Sequence, residues 1–176
     1  MVYAKFLLVV FLLFYLDCGS VKNNEPLQNQ TVPQTIPDDL LITLERTNCY
    51  GSCPAYKLSV KSDGTASFEG LDFTKIKGKA EDKISVEKVN QLVKAFENSD
   101  YFNLNGKYDT QNCYQWTDAP SATTSIQING KIKSIVHYQG CREGSDDFKK
   151  ELSKLTKLEN KIDEIVETKR WIGERK

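Results

Sequence analysis

Residues 122–138 read ATTSIQINGKIKSIVHY. Thr124, Ile126 and Ile128 alternate with polar residues up to Asn129-Gly130, the dipeptide best suited to the two positive-φ positions of a tight hairpin turn. Lys131–Tyr138 returns as the partner strand. Residues whose numbers add to 259 then face one another, which sets Cys141 opposite Asp118 near the segment that carries Cys113.

The same alternation recurs upstream. Leu40–Arg46 reads as a first strand, and Tyr56, Leu58 and Val60 alternate with Lys57, Ser59 and Lys61 as a second. Asp63-Gly64 turns the chain into a third strand through Ala66 and Phe68, and Phe73–Ala80 is expected as a fourth. Ser85 is an N-cap for an amphipathic helix carrying Val86, Val89, Leu92, Val93 and Phe96. Asn105–Pro120 has no periodicity and reads as a long loop. Ser145, with Asp146 and Asp147 behind it, caps a second helix whose apolar stripe, Phe148, Leu152, Leu155, Ile162 and Val166, is interrupted by Glu159. The order is ββββαββα. Hairpins dominate it, so the expectation is an α+β fold: an antiparallel or mixed sheet of about six strands with both helices on one face.

Residues 6–16, FLLVVFLLFYL, follow Lys5 with the layout of a secretory signal peptide over residues 1–20. Eleven apolar residues rise only about 16 Å as a helix, too short for a membrane span. Cys18 stands where a lipoprotein carries its acylated cysteine, although Tyr15-Leu16-Asp17 departs from a good lipobox; cleavage after Ser20 fits as well. Residues 21–39, rich in Asn, Gln and Pro, form a flexible tether, and residues 40–176 form one domain. The expected location is the periplasm or outer cell envelope, secreted or anchored to a membrane only through Cys18. Lysine plus arginine equals aspartate plus glutamate at 24 each, which leaves no field to hold nucleic acid.

Of five cysteines, Cys18 lies in the leader, leaving Cys49, Cys53, Cys113 and Cys141. Four in an exported domain read as two disulfides. Local pairing, Cys49–Cys53 and Cys113–Cys141, is favoured by the short Gly51-containing turn and by the hairpin register; the two crossed pairings stay open. A structural zinc site on these cysteines, with His137 in place of Cys141 as a variant, is a further option that fits finger spacing on one side only. Cys49-x3-Cys53-Pro54 with the single histidine, His137, is similar to the copper-binding signature of the Sco family, which implies a thiol-redox or Cu(I)-binding protein built on those three residues. The strand expected after Pro54 removes the helix N-terminus that activates a thioredoxin-like cysteine.

No nucleophile–base order, zinc-helix motif or phosphate loop is present, so no catalytic residue and no cofactor are expected. Tyr101, Phe102, Tyr108, Tyr114 and Trp116, in and beside the long loop, are candidate contact residues for a protein or cell-envelope ligand. The expected role is a non-enzymatic binding or inhibitory module.

Several stretches together resemble a bacterial family known only as a domain of unknown function: Cys49-x-Gly51-x-Cys53-Pro54-x-Tyr56, Asp63-Gly64, Phe68-Glu69-Gly70, Tyr101-Phe102, Asp118-x-Pro120, Gly130-Lys131-x-Lys133, His137-Tyr138-x-Gly140-Cys141 and Arg170-Trp171-Ile172-Gly173. The resemblance implies a compact exported or lipid-tethered module and assigns no residue a role.

Overall fold

In the computed structural model the hairpin around Asn129-Gly130 has the expected register: β7 (Ser121–Ile128) and β8 (Lys131–Tyr138) pair Ser121 with Tyr138 and Ile128 with Lys131. Asn129 and Gly130 both take positive φ, 52° and 71°. The structure describes residues 35–109, 113–115 and 117–174; the signal segment, Cys18, most of the tether and Trp116 lie outside them.

Upstream, β1 (Leu41–Arg46), β2 (Ala55–Lys61), β3 (Thr65–Asp72) and β4 (Gly78–Lys83) form a meander. β1 is the hinge of the sheet, pairing antiparallel with β2 on one side and with β7 on the other. Two helices follow the expected caps: α1 (Val86–Asn98), where Ser85 accepts from the Lys88 amide, and α2 (Asp146–Val166), where Ser145 accepts from the Phe148 amide. A short α3 (Lys169–Ile172) follows α2.

Period-2 alternation puts Ile42, Leu44, Leu58, Val60, Ala66, Phe68, Ile126 and Ile135 on one face, in a single core with Val89, Leu92 and Phe96 of α1 and Leu155, Leu158 and Ile162 of α2. Both helices therefore cover the same face. The opposite face carries Thr43, Glu45, Lys57, Ser59, Ser67 and Ser125, with a Thr43–Ser125 hydroxyl bond of 2.9 Å. At about 25 cal/mol per Å², burial of one such face against two helices is the main favourable term.

The structure departs from the sequence reading in three places. The long loop contains a 3-10 turn (Tyr101–Asn103) and two short strands, β5 (Lys107–Tyr108) and β6 (Tyr114–Gln115). β5 adds to β8 in parallel, so the main sheet is mixed, with seven strands in the order β4-β3-β2-β1-β7-β8-β5; β6 pairs with β9 (Cys141–Glu143) in a separate ribbon. Two-residue strands have no period to read.

The fourth strand begins at Gly78 rather than Phe73. The amides of Lys75 and Ile76 donate instead to the carbonyls of Ile172 and Trp171, so the C-terminal segment takes the hydrogen bonds a strand would need. Gly70 permits this crossing, because a Cβ there would lie 1.9 Å from the Ile76 carbonyl oxygen. Trp171 then stacks on Phe68 at 5.1 Å.

Contacts of the domain also begin before Leu40. Ile36 packs on the core, and Asp39 accepts from the Asn129 and Gly130 amides at 2.9 and 2.7 Å, bracing the hairpin turn.

Candidate functional site

β1 ends at Arg46, β2 begins beside Tyr56, and β8 runs out through His137 toward Gln139; α2 crosses all three with Glu159 and Asp163, which are four residues apart and share one helix face. These side chains form a polar network under the CYGSCP turn. Arg46 donates from Nε and Nη2 to Asp163 at 3.1 and 2.9 Å, and from Nε to the Tyr56 hydroxyl at 3.0 Å. Tyr56 and Thr168 donate to the other Asp163 oxygen at 2.5 and 2.8 Å. Glu159, 1 % exposed, faces His137 Nδ1 at 2.7 Å and accepts from Gln139 at 3.2 Å, with Arg46 Nη1 at 3.8 Å. An acceptor-only carboxylate there requires the imidazole to donate its Nδ1–H.

The electrostatics suit anchoring. Burial, and then the Asp163 charge, pushes the Tyr56 phenol well above its ordinary range, so it stays a donor. Burial works against the charge on Arg46, but Tyr56, Asp163 and Glu159 outweigh it and raise its pKa. His137 and Glu159 are buried against one another, 4 % and 1 % exposed.

Disulfides join Cys49 to Cys53 and Cys113 to Cys141. His137 spends Nδ1 on Glu159 instead of turning to the cysteines, and among the described residues no three His, Cys, Asp or Glu side chains gather to hold a metal ion. The Cys49, Cys53 and His137 ligand set is therefore not assembled.

The aromatic candidates divide. Tyr101 and Tyr108 are interior, which corrects their reading as contact residues. Tyr101 donates to the Thr124 carbonyl at 2.6 Å and packs edge-on to Phe96; Tyr108 donates to Glu151 at 2.7 Å and packs on Phe148. An aromatic ring with one polar tip can be buried wherever that tip finds a partner, and β7 supplies one for Tyr101 and α2 one for Tyr108. Phe102 is exposed. The Tyr114 backbone lies in β6, and Trp116 is outside the described residues.

Two clefts open at this end. One, of about 710 Å³, is lined by Arg46, Ser52, Cys53, Phe73, Lys75 and Gln139, among others. The second, about 590 Å³, shares Arg46, Pro54 and Ile172 with it. Tyr50, at the tip of the stapled turn, is 90 % exposed, and Phe73 is half exposed at φ 47°. A third depression, about 720 Å³, lies on the polar sheet face, where Glu45 already pairs with Lys57 and Glu81 accepts from Ser67; it reads as solvated surface.

Arg46, Tyr56, Glu159 and Asp163 were not singled out by sequence reasoning as site residues. The available signal was Glu159, the one charge interrupting the α2 stripe. Among the described residues no helix is long and apolar enough to cross a membrane. No curated protein matches the chain. Residues 40–166, from the first strand to the end of α2, match the family described as a domain of unknown function, DUF6438, and the chain belongs to that family.

Proposed function

We propose that the chain is an exported, disulfide-stapled, non-enzymatic binding module whose contact surface is the stapled end of the sheet. The observation that carries this is Tyr50: the most exposed large hydrophobic side chain among the described residues sits on a disulfide-closed turn beside a cleft with Phe73 at its rim. A rigid aromatic offered on a pre-ordered loop loses little entropy on binding, which is what contact anchors require. The buried network behind the turn gives that surface a fixed floor. Tyr114 and Trp116 stay contact candidates from the sequence alone. The partner is a protein or cell-envelope ligand.

The test captures binding material from envelope extracts of the host on wild type and on Tyr50→Ala, Phe73→Ser and Phe102→Ala variants, each checked for an unchanged thermal transition. Material held by wild type and Phe102→Ala but lost from Tyr50→Ala and Phe73→Ser supports the reading. Capture that ignores Tyr50 and Phe73, or no capture at all, removes it.

A further inference from the structure

We propose that the Cys49–Cys53 disulfide is a thiol–disulfide exchange site for a partner dithiol, entered through the cleft that Cys53 lines. The proposal goes beyond the contact-surface reading and stands without it.

The two disulfides differ in the ways that govern exchange. Cys49–Cys53 closes a sequence separation of 4, its tip Tyr50-Gly51-Ser52 is exposed, and neither cysteine is buried. Cys113–Cys141 closes a separation of 28, and Cys141 is buried. While the fold holds each pair of sulfurs together, loop length does not separate the two disulfides, and access does. Exposed disulfides are the ones a thiolate can reach.

A strand follows Cys53-Pro54, so no helix N-terminus is available to favour a thiolate. The cleft offers cations instead. Among the described residues Arg46 Nη1 makes only the 3.8 Å ion pair to Glu159 while Nε and Nη2 serve Asp163, and Arg46 lines the same cleft as Cys53. Lys75 lines it too, its ammonium without a partner among the described residues. The one carboxylate on the rim, Glu174, is engaged by Lys169 at 2.7 Å. Cations beside a sulfur lower its thiol pKa. Cys49 does not line the cleft, so Cys53 is the sulfur these charges serve.

The chemistry balances without a further reagent. A partner thiolate attacks Cys53 Sγ, the Cys53–Cys49 bond breaks, and Cys49 leaves as a thiolate. The partner's second thiolate attacks its own sulfur in the mixed disulfide, and Cys53 leaves as a thiolate held by the cleft cations. The partner is oxidised to its disulfide, the protein is reduced by two electrons, and the two protons of the partner thiols end on Cys49 and Cys53. In reverse, Cys53 is the nucleophile toward a partner disulfide.

The full chain with both disulfides formed is exposed to dithiothreitol, quenched with an alkylating agent at intervals and peptide-mapped, while near-UV circular dichroism follows the fold. Cys49–Cys53 should open several-fold faster than Cys113–Cys141 with the fold retained. Opening of Cys113–Cys141 first, or of both only on unfolding, overturns the proposal. Cys49→Ser and Cys53→Ser variants, each with one free thiol besides Cys18, are then reacted with glutathione disulfide, and the domain thiol is followed by peptide mapping. Cys53 should react several-fold faster, and equal rates overturn its assignment. Lys75→Gln in the Cys49→Ser chain should slow Cys53 by roughly two- to fivefold at low salt and not at high salt. An unchanged rate at low salt removes the role of the cations.

Discussion

The two ends of the sheet are held by different chemistry. At one end the chain reverses at Asp63-Gly64 and Asn129-Gly130, and each turn is braced by a carboxylate on amides: Asp63 on Thr65 at 2.9 Å, Asp39 on Asn129 and Gly130. At the other end the connections are long, two disulfides clip them, and the Arg46–Asp163 and Tyr56–Asp163 bonds join positions 117 and 107 apart in the chain. The turn end sets the register of the sheet. The stapled end spends stability on a buried polar network and carries the aromatic rim and the clefts. Buried ionic groups seldom add stability over an apolar core, so among the described residues the stapled end is the one held by pairs whose loss costs more than their presence gains.

The strongest way to break this contrast is to remove Glu159. Glu159→Ala leaves Arg46, His137 and Gln139 facing a vacated interior, and a buried ion pair broken on one side costs about 3–5 kcal/mol. Urea denaturation reads the loss directly. A cost below about 1 kcal/mol would mean that water replaces the carboxylate and that the stapled end is no more rigid than the turns.

Next come the two staples, which should not be equivalent. By loop-closure entropy, Cys113→Ala with Cys141→Ala should cost about 3.5 kcal/mol and Cys49→Ala with Cys53→Ala about 2 kcal/mol. The reverse order in thermal unfolding would show that the small turn anchors more of the end than its loop length implies.

At the turn end a single backbone position should matter less. Gly130 has open space around its Cβ position but φ +71°, so Gly130→Ala should cost only the left-handed strain, about 1–2 kcal/mol. A cost matching Glu159→Ala in the same denaturation series would erase the distinction between the ends.

The same division explains what was legible in the sequence. Asn129-Gly130 and Asp63-Gly64 announce their turns through local φ requirements, and Ser85 and Ser145 announce their helices through amides three residues away. From these, the strand faces and most of the core follow. The Arg46–Asp163 pair has no local signature, because nothing near Arg46 indicates which helix residue will cross it. Glu159 showed only as a flaw in a stripe, without naming His137 as its partner. Tyr101 and Tyr108 looked like surface because the 3-10 turn and two-residue strand that bury them are too short to have a period. Phe73–Ile76 alternated like a strand until the C-terminal segment took its amides.

The smallest effect, and the one that separates the ends most cleanly, is in the pH dependence. Asp63 is lowered to about 2 from an ordinary 3.8, chiefly by the Thr65 amide, and Asp39 is lowered chiefly by the Gly130 amide. A lowered carboxylate binds fewer protons folded than unfolded, so its contribution is complete above pH 3.8 and is lost as pH falls toward 2. Tyr108, at the stapled end, is pushed from 10 up to about 12 by burial and then by Glu151. A raised phenol keeps its proton longer folded, so its contribution is complete below pH 10 and is lost as pH rises toward 12. The turn end should therefore set the acid limb of stability and the stapled end the alkaline limb. Asp63→Asn should reduce the acid slope by up to about one proton and leave the alkaline limb alone, while Tyr108→Phe should do the opposite. Denaturant midpoints for the three proteins across both limbs decide it: an Asp63→Asn chain with the wild-type acid slope would mean that the turn carboxylates brace nothing.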